Sequence, residues 1–434
     1  MFAITWPAGA AGTNIVFPLD LPTVLRLAGA QNLDVLIARE KLAEARANHA
    51  IARAQFFPWI SPGLAFKRHE NNLQDIAGTI LNADKNLFTA GAGLTAQVDI
   101  GEAIYKSLAA RQLVKAAEQA AEAQRQDSVF SAATGYFELV RARANVGVAE
   151  EAARVAGSYA RQLKEAVAAG VAFKGDAFRA QAQWERTQLA LRQAQEQQRV
   201  ASARLAQLLR LEPTTELAPD EGDLAPLELV DRDAALDSLV SRALHARAEL
   251  KQGEAQRGAA DAARKGARYG PLIPSLGASL FYGGLGGGPG NPGPDRFNVS
   301  EDYFVGLGWR IGPGGLFDPG RIRATEARVR TASLELDKVR DTVTRQVVEA
   351  HVRAQSLADQ IATAKRALEA AEETAKLSRE RKQFGVGAVL EDLQAEQELT
   401  RARQDYVNAV AEANKAQYEL QRAIGAGREA VGER

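Results

Sequence analysis

The chain of 434 residues contains no cysteine. That excludes disulfides, thiolate metal sites, cysteine nucleophiles and an N-terminal lipid-modified cysteine in this sequence. Methionine occurs once, at Met1, and aromatics make up only 6% of residues. A core short of large rings must rely on Ala, Leu and Val, which suits closely packed helices. An excess of either charge is also missing, since Lys+Arg and Asp+Glu both number 54. No basic field points to nucleic acid, and no acidic tail is present. No run of 18 apolar residues occurs, so no transmembrane helix is predicted. The first 20 residues lack the basic n-region and the h-region of a signal peptide. Three readings stay open there: a mature form, a start set too late, or a protein kept in the cytoplasm.

What the chain does contain is a duplication. Gly170, Asp176 and Ala180 return as Gly385, Glu391 and Ala395; 385 − 170, 391 − 176 and 395 − 180 all give 215. In each copy a glycine ends one helix, a short turn follows and an acid opens the next. Each half is therefore built on a helical hairpin with a tip.

Taken in order, residues 1–20 form an extended or irregular lead, and 21–211 the first repeat. It opens with a helix from about Thr23 to Phe57, started by Asp20-Leu-Pro22 and stopped by Pro58. Strand-like alternation marks 59–70 and 87–99, with a polar loop at 71–86 between them. A long helix over 102–169 carries small residues every seventh position, among them Ala142, Ala149 and Ala156, the spacing of close coiled-coil packing. Such a helix reaches roughly 100 Å. A return helix spans 177–209.

A proline-rich linker at 212–232 leads to the second repeat, 233–425, and a tail at 426–434. The plan recurs there: a helix to about Tyr269, strands at 274–283 and 302–311, a long helix at 319–384 and a return helix at 391–424. Asp318-Pro319 is an N-cap followed by proline at the first helical position. Gly284–Gly288 superficially suggests a phosphate loop, but prolines follow it and a strand rather than a helix comes next, so an exposed loop is expected.

Four strands per chain cannot close a barrel, for which about eight is the practical minimum. Left alone they expose ladder edges. Their faces alternate between aromatic or aliphatic and glycine or polar, the pattern of a membrane barrel. Several chains are therefore expected to pool strands, eight from two chains or twelve from three; spacing does not choose between them.

The four histidines, His49, His69, His245 and His351, are scattered without metal-ligand spacing. No catalytic set, metal site or cofactor is assigned. Glu391 and Asp392 face two readings: a charged ring at a pore entrance, or favourable electrostatics at a helix N-terminus. Asp176 is read mainly as such a helix-start acid. Tyr282 and Tyr303 fit an interfacial aromatic belt, and Trp59 and Trp309 a junction between barrel and helices.

The chain resembles the TolC-type outer membrane efflux proteins. The resemblance is carried by the duplication, by Leu25-x-x-Ala28-x-x-x-Asn32, by Ala54-Gln-Phe-Phe-Pro58, and by Phe384-Gly-Val-Gly387 running to Leu393-Gln-Ala-Glu396. It covers nearly all of residues 20–425. It implies a mainly α fold with a small β part. Three chains would build a twelve-strand outer membrane barrel and a long α-helical tube in the periplasm. It also implies a passive exit duct for efflux pumps or type I secretion, with a periplasmic adaptor and an inner membrane pump as partners. Gly170, Val171, Asp176, Gly385, Val386 and Gly387 would then be adaptor-docking tips, and Glu391, Asp392 and Gln394 would surround the periplasmic entrance. Two departures stand out: no signal peptide is visible, and Gln394 replaces the second of the two acids that the family often carries there. Asp392 points about 100° away from Glu391 on a helix. The rival reading is a soluble coiled-coil scaffold, which leaves the four strands in matched places unexplained.

Overall fold

A computed structural model describes residues 16–212, 215–219, 224–290, 296–383 and 389–426. The chain divides into two compact units. One comprises Met1–Arg39, Ala120–Leu250 and Val339–Arg434; the other comprises Glu40–Gln119 and Lys251–Lys338.

The second of these units holds the largest sheet. Strands β2 (Trp59–His69), β5 (Lys85–Val98), β7 (Ser275–Pro289) and β8 (Asn298–Gly308) form one antiparallel sheet in the order β2-β5-β7-β8. Its edges are β2 and β8. The register puts Gly63, Gly91 and Gly283 side by side, and likewise Ile60, Leu94, Leu280 and Tyr303. Because side chains alternate along a strand, one face carries Ile60, Leu64, Phe66, Leu280, Tyr303 and Val305. Several are almost fully exposed, Leu64 at 86% and Val305 at 76%. The opposite face is mostly glycine and polar, interrupted by Trp59, Leu87, Phe281, Leu285 and Phe304. The ring of Phe281 lies 2.9 Å from where a Cβ of Gly91 would stand, and that of Phe304 lies at the same distance from Gly306. The glycines make room for rings that lie along the sheet.

The segment Gly284–Gly288, expected as a loop, is the continuation of β7 and pairs with β5. A run of glycines carries no alternation to betray a strand. The polar loop before β5 contains a small hairpin of its own, β3 (Asn72–Gln74) against β4 (Ile80–Asn82).

The other unit is built on helices. The parallel strands β1 (Val16–Leu19) and β6 (Glu216–Pro219) pair within it, in segments expected to be irregular lead and linker. Helix α1 (Leu21–Gln31) starts at Asp20, whose carboxylate accepts from the Thr23 N–H. The long helices are α3 (Ile100–Ala168), α4 (Lys174–Leu209), α7 (Pro319–Gln383) and α8 (Val389–Ala423); this unit holds α3 from Ala120 and α7 from Val339 onward. Asp318 caps α7 as expected, accepting from the Arg321 N–H at 3.0 Å. In α3, Ala132, Leu139, Val146, Ala153 and Ala160 are buried, so the seven-residue seam is the packing face. Tyr136, Phe137, Leu205, Leu209, Leu217 and Tyr418 form the heart of the core. Each large side chain of this kind contributes about 1.5–3 kcal/mol through burial.

One expectation fails in both repeats for the same reason. Each opening helix was read as continuous, yet each is broken: α1 and α2 (Leu33–Ala54) part at Asn32, and α5 (Leu236–Ala246) and α6 (Ala248–Tyr269) part at Arg247. These positions are 247 − 32 = 215 residues apart. Both side chains are buried, and both donate to the carbonyls ending a return helix. Asn32 Nδ2 donates to Leu208 O at 3.2 Å, and Arg247 Nη1 to Ala423 O at 3.2 Å. The acceptors are again 423 − 208 = 215 apart. Carbonyls at a helix C-terminus lack intrahelical donors. Each repeat supplies one by breaking its first helix.

Candidate functional site

The two hairpin tips are where the sequence concentrates glycine and acid next to an alanine seam. At the first, α3 closes in a Schellman motif. Gly170 takes a left-handed φ of 75°, its N–H donates to Val167 O, and the Val171 N–H donates to Ala166 O. Only a residue without Cβ adopts that φ at little cost. Helix α4 then starts after Phe173. Asp176 sits in its first turn, where the helix dipole favours an acid. It does not cap the end; it pairs with Arg179 at 3.5 Å.

The motif's alanines have a packing role. Ala180 is buried with Ala160 and Leu163, and Ala395 with Ala375 and Leu399. A larger side chain at either position would hold the two arms of its hairpin apart. Gly157 performs a similar service: a Cβ there would lie 3.0 Å from the Trp184 indole nitrogen.

Of the second tip, Gly385, Val386 and Gly387 lie outside the described residues. The start of α8 is described, and the residues expected at an entrance separate there. Glu391 is half exposed and accepts from Arg381 Nη1 at 2.6 Å. Gln394 is exposed. Asp392 is only 1% exposed and accepts from the phenol of Tyr159 on α3. Burial first, and then the Asp392 carboxylate, hold the Tyr159 phenol far above its ordinary pKa. The phenol therefore stays protonated and remains the donor of this bond. Arg379 adds a clasp across the α7–α8 hairpin, its Nε donating to Glu396 at 2.6 Å. Beside these contacts, α3, α4 and α8 enclose a groove of about 340 Å³, with Tyr159, Arg186, Glu396 and Arg401 on its walls.

Sequence reasoning found the acids and missed Tyr159, Arg379 and Arg381. One signal was available, since Tyr159 interrupts an alanine-rich seam with a hydroxyl-bearing ring.

Away from the tips, Tyr282 and Tyr303 stand on the apolar face of the sheet and are mostly exposed. The Tyr303 phenol donates to Glu301 at 2.7 Å. Trp59, at the start of β2, stands on the glycine-rich face opposite Thr95. Trp309 follows β8, and its indole N–H donates to Leu272 O at 3.2 Å. Among the described residues, no three His, Cys, Asp or Glu side chains gather as metal ligands, and no helix is long and apolar enough to cross a membrane.

Comparison with known proteins adds three findings. The family model described as outer membrane efflux protein matches residues 24–209 and 239–426. CyaE of Bordetella pertussis is 30% identical over 187 residues; the match spans 43% of this chain and 38% of that protein's length. The fold is shared with the outer membrane channel CmeC of Campylobacter jejuni (TM-score 0.75, 19% identity, 94% of this chain and 86% of that one). It is also shared with the outer membrane protein VceC of Vibrio cholerae (TM-score 0.73, 20% identity, 93% of this chain and 96% of that one).

Proposed function

Because the chain belongs to the outer membrane efflux protein family, we propose that it is the exit duct of an efflux pump or a type I secretion system. It conducts substrate passively from a periplasmic partner to the exterior. The observation that carries this reading is the sheet. Four strands with two open edges, one exposed apolar face and one glycine-rich face form a fragment of a barrel wall. Three copies, joined β2 to β8, supply twelve strands and leave no edge. The apolar face then meets lipid, with Tyr282 and Tyr303 in its aromatic belt, and the glycine-rich face lines the lumen. Trp59 and Trp309 mark the junction below.

The two repeats, 21–211 and 233–425, contribute their hairpins to a periplasmic tube closed at the tips. Glu391 and Gln394 face the entrance, while Asp392 latches it from within through Tyr159. Opening requires this bond and the clasps at Arg379 and Arg381 to part. A periplasmic adaptor engages the tips around Gly170, Val171, Asp176, Gly385, Val386 and Gly387. The energy comes from an inner membrane pump, and the duct itself carries out no chemistry.

Planar lipid bilayers test this. Purified protein is expected to form discrete channels with rare full openings, and Arg379→Ala with Arg381→Ala to open more often. A preparation that inserts as a trimer but never conducts, even with these clasps removed, rules the duct out.

A further inference from the structure

We propose that the cavity of about 300 Å³ bounded by α7, α8 and linker residues 226–232 binds a small amphiphilic cation, an apolar body carrying an ammonium group. The proposal stands apart from the exit-duct reading, because one chain supplies every wall. The cavity has its origin in the duplication. His351, Ala354 and Leu420 line it. The first repeat has Tyr136, Leu139 and Leu205 at the same places; 351 − 136, 354 − 139 and 420 − 205 all give 215. Those three are fully buried in its core, and the Tyr136 phenol donates to Leu19 O at 3.3 Å. In the second repeat two of the three side chains shrink, tyrosine to histidine and leucine to alanine. Space remains where the first repeat is packed.

His351 is only 8% exposed, yet its ring makes no hydrogen bond, ion pair or ring contact among the described residues. A buried polar group without a partner is costly, and an imidazole nitrogen can accept from an N–H or O–H group. Val230, Ile361 and Leu420 supply apolar wall around it. Apolar lining with a few polar groups is the ordinary form of a small-molecule site. The linker wall is fixed in advance. Asn414, fully buried, accepts from the Leu227 N–H at 2.8 Å and donates to Ala225 O at 2.9 Å. Gln417 accepts from the N–H groups of Leu229 and Val230 at 3.1 and 3.2 Å. A wall already ordered loses little entropy on binding. The rim selects the sign. Glu228 and Asp231 make no ion pair among the described residues, while Arg232 is engaged by Asp359 at 2.5 Å. Two carboxylates without a basic partner, beside an apolar slot, favour an organic cation. The ammonium group meets these carboxylates, and an N–H or O–H deeper in the ligand meets His351.

The test uses the full chain in detergent and two probes that share a fluorophore and a sulfonamide N–H: dansylethylenediamine, a cation, and dansylglycine, an anion. Micelles without protein supply the blank. The cationic probe should brighten, saturate at one per chain and bind about tenfold more tightly than the anionic one, the scale of a charge contact near a surface. His351→Tyr with Ala354→Leu, which copies the packing of the first repeat, should abolish saturable binding. Glu228→Gln with Asp231→Asn changes only the exposed rim. It should remove the preference between the probes and leave the melting temperature and oligomeric mass of wild type. The proposal is overturned if wild-type protein binds neither probe saturably, binds both equally or prefers the anion. It is equally overturned if the rim variant keeps the preference, or if the filled variant folds and still binds the cation. Should the filled variant fail to fold, the rim variant alone decides.

Discussion

Replacing Tyr159 with Phe removes one hydroxyl and leaves the ring. The lost bond runs from a phenol to a buried carboxylate, Asp392, at the foot of α8. Hydrogen bonds to charged groups contribute about 1.5–3 kcal/mol. At 1.4 kcal/mol per factor of ten, the closed state of each protomer should lose roughly 10- to 140-fold of its advantage over the open one. The ring still fills its place in the groove beside Ala156, so packing changes little. The assay is open probability of single channels in planar bilayers, with Asp392→Asn and the double variant alongside. If the two side chains act as one latch, the double variant opens no more often than either single one. Free energies that simply add would refute the latch, since residues sharing an interaction do not add. The pH dependence has a definite sign from the phenol's side. Its pKa is raised in the folded state, so its contribution is complete below the ordinary tyrosine value of 10.0 and is lost only as pH rises beyond it. Varying pH between 7 and 9 should leave this bond intact.

Three further outcomes follow from the packing. Gly101→Ala places a Cβ 2.1 Å from the Gly270 carbonyl oxygen, and the forced shift should cost about 1–3 kcal/mol in urea unfolding. Arg210 ends α4 with a left-handed φ of 56°, where the second repeat has Gly425 at φ 75°. Arg210→Gly relieves about 1–2 kcal/mol of strain against about 0.5–1 kcal/mol of added chain entropy, so the melting temperature should hold or rise slightly. Glu249 is pulled two ways: burial raises its pKa, and hydrogen bonding and charge from Arg247, together with a backbone hydrogen bond and the Arg422 charge, bring it below its ordinary value. Its stabilisation is therefore complete above the unfolded value near 4.5 and lost as pH falls below it. Glu249→Gln should flatten that part of the stability–pH curve.

The sequence made the long helices and the four strands legible because both depend on local periodicity. Seams of Ala at sevens and alternation in 87–99 survive without any knowledge of neighbours. The breaks at Asn32 and Arg247 were not legible. At Asn32 the local signal is only part of the cause: its side chain accepts from the Asp34 N–H at 2.8 Å, while the other part, a distant pair of carbonyls at Leu208 and Ala423 that takes each donor, has no local trace. The glycine strand Gly284–Gly288 was hidden for a related reason. Its glycines answer to Asn86, whose carbonyl would meet a Cβ of Gly287 at 2.1 Å, and to the Phe297 ring over Gly284 and Gly286. At the tips the acids could be found but their partners could not. Arg381 and Glu391 stand on different helices, α7 and α8, and Tyr159 lies 233 residues from Asp392.

The absence of cysteine makes the central claim directly accessible, because any introduced pair is the only one. Gly63→Cys on β2 can be combined in turn with Ser300→Cys, Asp302→Cys and Phe304→Cys on β8, all on the glycine-rich face. Oxidation in detergent followed by denaturing electrophoresis then reads which chains were joined. The account predicts that at least one pair yields a covalent species of three times 46.6 kDa, while Gly63→Cys with Tyr303→Cys, on opposite faces, does not. A ladder ending at two chains, or only monomer from every pair, contradicts it.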